Sequence, residues 1–349
     1  MKVLVTGGAG YLGSVLVYQL INKGLSVRVF DKFYFGKESL KPYLGRIEIM
    51  QGDIRNFHEA LDDVKVVIHL GGLSNDPTAE FRPRENMEIN TKATIELAKA
   101  CLEKKINKFI FGSTASIYDK GLMSANIIQD ENSLVEPLAA YSVSKFEAEK
   151  ALLELMKEND NFCPVILRKG TLYGYSPRMR YDLVVNTLVK DAFTKGRLKA
   201  FCGGNQWRPL VDVLDAARAY MVCLEADENK VKGEIFNVAY GNFQIMDVAH
   251  RIKEALKNIR PVEVDIDYTP GKIDRSYSIS NEKLEDRLKF RYKVTIEDSA
   301  RNMAGKIKDF LDKGGNVSEL ENNIYYNIRW MQHLADMESK IKEMGGSVF

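Results

Sequence analysis

Four cysteines and four histidines are spread through 349 residues. Cys101, Cys163, Cys202 and Cys223 lie far apart, without C-x-x-C spacing and without a histidine cluster beside them, so no metal site is expected. Net charge is also scarce. Fifty Lys and Arg against 48 Asp and Glu leave +2, which makes no case for nucleic acid or a membrane surface as partner. No apolar stretch is long enough to span a bilayer, and the N-terminus enters a strand and a glycine loop with none of the features of a secretory signal. A cytoplasmic location is expected. Internal repeats and low-complexity tracts are missing as well. With 45% hydrophobic and 28% charged residues, the composition is that of an ordinary soluble globular chain, long enough for one large or two small domains.

Three glycines, Gly7, Gly10 and Gly13, directly follow the apolar run from Lys2 to Thr6. A strand that turns sharply into a helix presents unpaired N–H groups and a positive helix end to a pyrophosphate, and side chains at these points would block the approach. The surroundings support that reading. Leu12, Val15, Leu16 and Leu20 form a helical stripe, Gly24 ends the helix, and Ser26 to Phe30 make a second strand followed at once by Asp31. An acid at that position accepts hydrogen bonds from the adenosine ribose and repels a 2′-phosphate, so NAD is favoured over NADP, although Lys32 leaves NADP open.

Further β-rich runs at 47–51, 64–70, 108–112 and 163–168 alternate with helical stretches near 86–104 and 140–158. This alternation predicts an α/β chain with a parallel sheet, helices on both faces and ligands at the carboxyl ends of the strands. The expected division is a dinucleotide-binding domain over 1–172 with return segments near 208–240, and a smaller lobe from 173–207 and 241–312. From about 315 onward, Ile324, Ile328, Met331, Leu334, Met337, Ile341 and Met344 recur every three or four residues, which predicts an amphipathic helix over 315–349. Its polar face carries both signs of charge, so docking on the body or on a subunit is expected rather than membrane binding.

Tyr141 and Lys145 stand four apart in a stretch, 139–151, without proline or glycine, and so share one helix face. The same spacing in Tyr268 and Lys272 is broken by Pro270 and Gly271. A phenol titrates near about 10, and a neighbouring ammonium together with a positive nicotinamide ring favours phenolate, so Tyr141 is expected to act as a base near neutral pH. Just beyond the strand from Lys108 to Gly112, hydroxyls cluster at Ser113, Thr114 and Ser116, with Thr114 the expected substrate-facing group.

This ordered set, with Gly52, Asp53, His69 to Gly72, Asn90, and Arg168 to Gly174, resembles the extended short-chain dehydrogenase/reductase family in its nucleotide-sugar epimerase and dehydratase branch, over roughly residues 1 to 310. The resemblance implies a Rossmann-type doubly wound parallel sheet with a smaller α/β substrate-binding lobe, and a catalytic trio of Thr114, Tyr141 and Lys145. It implies that NAD is held by Gly7, Gly10, Tyr11, Leu12 and Gly13, by Asp31 and Lys32, and by Asp53 and Ile54 at the adenine. Leu70, Gly71, Gly72 and Leu73 would line the cofactor with Asn90 behind, joined by Ser113, Tyr141, Lys145, Arg168 and Gly170. A nucleotide-sugar substrate would meet Ser74, Asn75, Thr114, Ser116, Tyr141, Arg178, Arg180, Asn186, Arg208 and Arg275. Arginines suit that task, because a guanidinium binds phosphate oxygens in a planar fork. For Arg178 and Arg180 a solvated surface position is the alternative. A homodimer through the helices near 92–104 and 141–157 is also implied.

Departures from the family pattern narrow the chemistry. The 4,6-dehydratases carry an Asp-Glu pair after the catalytic threonine, where this chain has Ala115 and Ser116, and elimination of water needs a positioned acid and base. Asp119 and Tyr175 replace a customary glycine and proline near the sugar pocket. The expected activity is therefore epimerisation at sugar C4 through a 4-keto intermediate. A 4-dehydrogenase or 4-ketoreductase would use the same residues, and a non-catalytic dinucleotide-binding regulator or an assembly subunit are the readings from other classes.

Overall fold

A computed structural model of the chain describes residues 1–119, 127–266 and 276–344. Seven parallel strands form the central sheet, in the spatial order Ile235–Val238, Cys163–Lys169, Lys108–Thr114, Val66–His69, Lys2–Thr6, Ser26–Asp31 and Glu48–Gln51. The chain starts in the middle and works outward in both directions, so the strand order reverses between Lys2–Thr6 and Val66–His69, where a ligand crevice opens at the carboxyl ends.

Side-chain alternation builds a core on each face. Val3 and Val5 point to the side where Leu16, Leu20, Ala216, Ala217 and Tyr220 pack from the helices Tyr11–Asn22 and Val213–Glu225. Leu4, Phe109 and Phe111 point to the other, under Leu97 and Cys101 of Ala93–Glu103 and Ala148 and Leu152 of Ala140–Glu158. Strands buried on both faces read as near-continuous apolar runs, as these do.

The second lobe has its own three-stranded sheet, in which Trp207–Asp212 lies between Thr171–Tyr173 and Gly241–Gln244. That sheet runs across the expected boundary at 172–173, because Gly170 alone separates Cys163–Lys169 from Thr171–Tyr173. Helices Val184–Thr194 and Ile245–Leu256 pack against it, and Ile296–Asp312 packs on those two helices.

The C-terminal segment differs from the single helix expected. Asn316 and Glu319 cap each other reciprocally and start a 3-10 turn at Val317–Glu321, a second turn follows at Asn323–Tyr325, and the helix proper is Asn327–Glu343. Short polar side chains that bond to their own backbone offer the chain an alternative to a helix, which the apolar spacing does not register. Among the described residues no helix is long and apolar enough to cross a membrane.

Candidate active site

The turn after Lys2–Thr6 is built by close backbone approach. Gly7 has φ +69°, and a Cβ at Gly13 would stand 2.2 Å from the Gly7 carbonyl oxygen, so the first turn of the following helix lies hard against the loop. Gly10 caps that helix without any side-chain hydrogen bond, leaving the first N–H groups aimed into a cavity of about 380 Å³. The expected residues Gly7, Gly10, Tyr11, Leu12, Gly13, Asp31, Lys32, Asp53, Ile54, Leu70, Gly71, Gly72, Leu73, Ser113 and Gly170 line it. Asp31 accepts the N–H groups of Ala9 at 3.0 Å and Phe33 at 2.8 Å, and its burial raises its pKa against the pull of those bonds. Asp53 is held down to about 2 by the Arg55 guanidinium, which forks it at 2.8 and 2.7 Å.

Behind the cofactor side, the helical stretch contains one π turn, Glu88–Lys92, that the sequence pattern does not reveal. It carries Asn90, whose amide accepts the Leu73 N–H at 2.8 Å and donates to the Leu73 carbonyl at 3.0 Å. Such turns recur at functional sites, where they re-aim a side chain.

Tyr141 and Lys145, from the first two turns of Ala140–Glu158, line the same cavity as Thr114, at the end of Lys108–Thr114. Thr114 is part of a hydroxyl chain, with Ser116 Oγ at 3.0 Å and Ser142 Oγ 2.9 Å beyond it. The expected lowering of Tyr141 is for a site holding nicotinamide beside Lys145; in the chain without cofactor the protein groups alone act on it. Burial pushes the phenol up, Asp76 and Tyr277 push the same way, and Arg180 opposes them. The Lys145 ammonium instead lies 4.7 Å over the Phe111 ring, and burial draws it down to about 8. In the chain by itself Tyr141 is a phenol at neutral pH.

On the substrate side, Ser74, Asn75, Ser116, Arg178, Arg180 and Arg208 also line the cavity. Arg208 donates to the Trp207 carbonyl at 2.9 Å and lies 5.8 Å from the Tyr277 ring centroid, while Arg180 forks Asp182 at 2.8 and 2.9 Å. Two expected contacts are placed elsewhere. Arg168 is buried outside the lining, where Glu149 at 2.7 Å and the Tyr118 hydroxyl at 2.7 Å match its charge and donors. Asn186 is spent on the main chain, accepting from Gly174 N at 2.8 Å and donating to the Arg180 carbonyl at 2.9 Å, besides the Tyr11 hydroxyl at 3.0 Å. Arg275, like Tyr268 and Lys272, lies outside the described residues.

Among the lining residues that escaped the sequence reading are Asp76, Lys169, Tyr277 and Asn327. Lys169 Nζ is bonded to the Ser113 carbonyl at 2.6 Å and the Tyr220 hydroxyl at 3.1 Å, and burial lowers its pKa well below the usual value, with Lys145 adding to the effect. No spacing marks it, because it follows Arg168 in an ordinary strand.

The family model for NAD dependent epimerase/dehydratases matches residues 3–239. The chain belongs to that family. Among its relatives, UDP-N-acetyl-alpha-D-glucosaminuronate decarboxylase of Bacillus cytotoxicus is 30% identical over 249 residues, covering 68% of this chain and 74% of that protein. UDP-glucose 4-epimerase of Corynebacterium glutamicum is 27% identical over 281 residues, covering 76% of this chain and 83% of that protein. The solved UDP-glucuronic acid 4-epimerase of Bacillus cereus, in complex with UDP-glucuronic acid and NAD, aligns with a TM-score of 0.75 at 26% identity, over 89% of this chain and 100% of that chain.

The cofactor of this epimerase/dehydratase family is NAD, and the residues here fit it. The bare first turn of Tyr11–Asn22 suits a pyrophosphate, the Asp31 carboxylate suits ribose hydroxyls, and the cavity continues from there to Tyr141.

Proposed function

We propose that the chain is an NAD-dependent nucleotide-sugar epimerase acting at C4 of the sugar. The observation that carries this reading is the convergence of Tyr141, Lys145 and the Thr114 hydroxyl chain on the cavity that begins at the glycine turn. NAD, when bound, supplies the hydride acceptor and donor at the sugar carbon.

The protein's own groups manage the proton and the pose. Tyr141 exchanges the proton of the C4 hydroxyl, a transfer worth roughly 10²- to 10⁴-fold in rate when the group is well placed. Thr114, fixed through Ser116 and Ser142, orients the same oxygen. Lys145 titrates close enough to neutrality, at about 8, to supply positive charge beside the reacting oxygen and to pass a proton on. Arg208 and Arg180 meet the phosphates of the nucleotide. A 4-keto sugar that turns while its nucleotide stays held presents its other face, and the product is the C4 epimer. Ala115 and Ser116 follow Thr114 where a 4,6-dehydratase has its acid pair, and Ser116 is already engaged with Thr114 and Ser142, which supports epimerisation over dehydration.

The relatives named UDP-glucose 4-epimerase support a UDP-sugar as substrate. The test is to denature the purified protein, identify any released NAD+ or NADH, and then offer UDP-, GDP-, CDP- and dTDP-sugars while following NADH absorbance and product stereochemistry. Redox-neutral conversion to a C4 epimer is expected. Stoichiometric NADH in solution would instead make the chain a 4-dehydrogenase.

A further inference from the structure

Arg178 lies in the segment after Gly174, which the resemblance assigned to substrate phosphate or sugar, yet its surroundings point toward the other ligand. Its guanidinium lies 3.6 Å from the ring centroid of Phe35, in the loop that follows Asp31, and it donates to Asn327 Oδ1 at 2.6 Å. Only 7% of Arg178 is exposed, and its Nε has no hydrogen-bond partner among the described residues. The carboxylate nearby, Asp182, is forked by Arg180. A guanidinium taken out of water without a matching anion is costly, and the cost is removed when an anion joins it.

The glycine turn lacks what Arg178 could add. The first turn of Tyr11–Asn22 offers N–H groups and a helix dipole, and it carries no lysine or arginine to meet two formal negative charges. Burial and the charge of Arg180 weigh most on Arg178, with Asp182 and then Asp31 opposing them, and its stacking on Phe35, in the loop after Asp31, places it on the dinucleotide side. Asn327, which fixes it, also donates to Ser74 Oγ at 3.0 Å, and Trp330 Nε1 donates to the Tyr34 carbonyl at 2.5 Å. The C-terminal segment thus ties together the 33–36, 74–76 and 176–182 loops, all of which contribute to the cavity wall.

We infer that Arg178, held by Phe35 and Asn327, is a ligand for the pyrophosphate of the dinucleotide, and that the C-terminal segment controls how long the cofactor stays bound. The inference rests on reading this cavity as the NAD site. A retained cofactor is what redox-neutral epimerisation needs, since NADH lost between the two half-reactions would strand the ketone.

Calorimetric titrations of the full-length protein, stripped of cofactor, with adenosine, ADP-ribose and UDP test it. Arg178→Met is expected to weaken ADP-ribose binding roughly 10- to 100-fold, the loss of one charge-assisted pair, while adenosine and UDP stay within about twofold. Adenosine binding then serves as the control for folding, and Arg178→Lys should recover part of the loss. Asn327→Ala is expected to weaken ADP-ribose roughly 3- to 10-fold and to speed release of bound NAD in a chase experiment. ADP-ribose affinity unchanged in Arg178→Met, or a loss that falls on UDP instead, overturns the assignment of the arginine. A wild-type protein that binds neither adenosine nor ADP-ribose overturns the cavity reading itself.

Discussion

Asn90 grips both backbone polar groups of Leu73, accepting its N–H at 2.8 Å and donating to its carbonyl at 3.0 Å. The neighbouring Gly72 has no room for a side chain, because a Cβ there would sit 2.4 Å from Asn90 Oδ1. The loop that lines the dinucleotide cavity is therefore held by a residue from a π turn 17 positions later.

Replacing Asn90 with Ala leaves the Leu73 N–H and carbonyl without their partner in a buried setting. Each such group costs about 1–3 kcal/mol, so a loss of about 2–6 kcal/mol in unfolding free energy is expected, with weaker NAD binding. Urea denaturation and an NAD titration check both. Unchanged stability would show that water satisfies the loop equally well.

Tyr141→Phe removes one oxygen from a side chain that is enclosed in the cavity wall. The expected result is a fall in kcat of about 10²- to 10⁴-fold with NAD affinity nearly unchanged. Steady-state kinetics on the identified nucleotide sugar provide the measurement, and full activity in the variant would remove Tyr141 from the mechanism.

Burial lowers Lys145 to about 8 in the folded chain, against about 10.4 for an unfolded lysine. Below pH about 8 both states carry the charge, and the fold bears its desolvation. Between about 8 and 10 the unfolded chain binds the extra proton, so raising the pH favours the folded state through this group. Lys145→Met removes that dependence. The stability difference, wild type minus variant, should grow in favour of wild type across that window, as read by denaturant melts at several pH values. A flat difference would mean that Lys145 titrates as an ordinary exposed lysine.

Helices Ala93–Glu103 and Ala140–Glu158 share an outer groove lined by Ile95, Leu153 and Met156, where a second copy of the chain is expected to pack. Leu153→Asp should halve the mass seen by light scattering, because the dimer would have to bury an unpaired carboxylate. A wild type that is already monomeric at assay concentration contradicts the dimer.

Much of the fold was legible beforehand, for a local reason. Lys2–Thr6 and Ala140–Glu158 came out with the limits that the sequence pattern predicts, since an apolar run ending in glycines and a long stretch free of proline and glycine are decided by neighbours in the chain. The π turn at Glu88–Lys92 and the broken start of the C-terminal helix were not legible. Both depend on a few side-chain hydrogen bonds that leave the apolar spacing intact.

The same distinction runs through the site. The place of Gly7 to Gly13 in a turn and helix start, of Asp31 and Thr114 at strand ends, and of Tyr141 and Lys145 on one helix follows from the sequence, because each is set within one turn, one strand end or one helix. Tertiary structure decided the rest: that Arg168 is matched by Glu149 at 2.7 Å, that burial raises Tyr141, and that Asn327 reaches Ser74 across 253 positions. The fate of a charge depends on what surrounds it in space, and for these residues the surroundings come from distant parts of the chain.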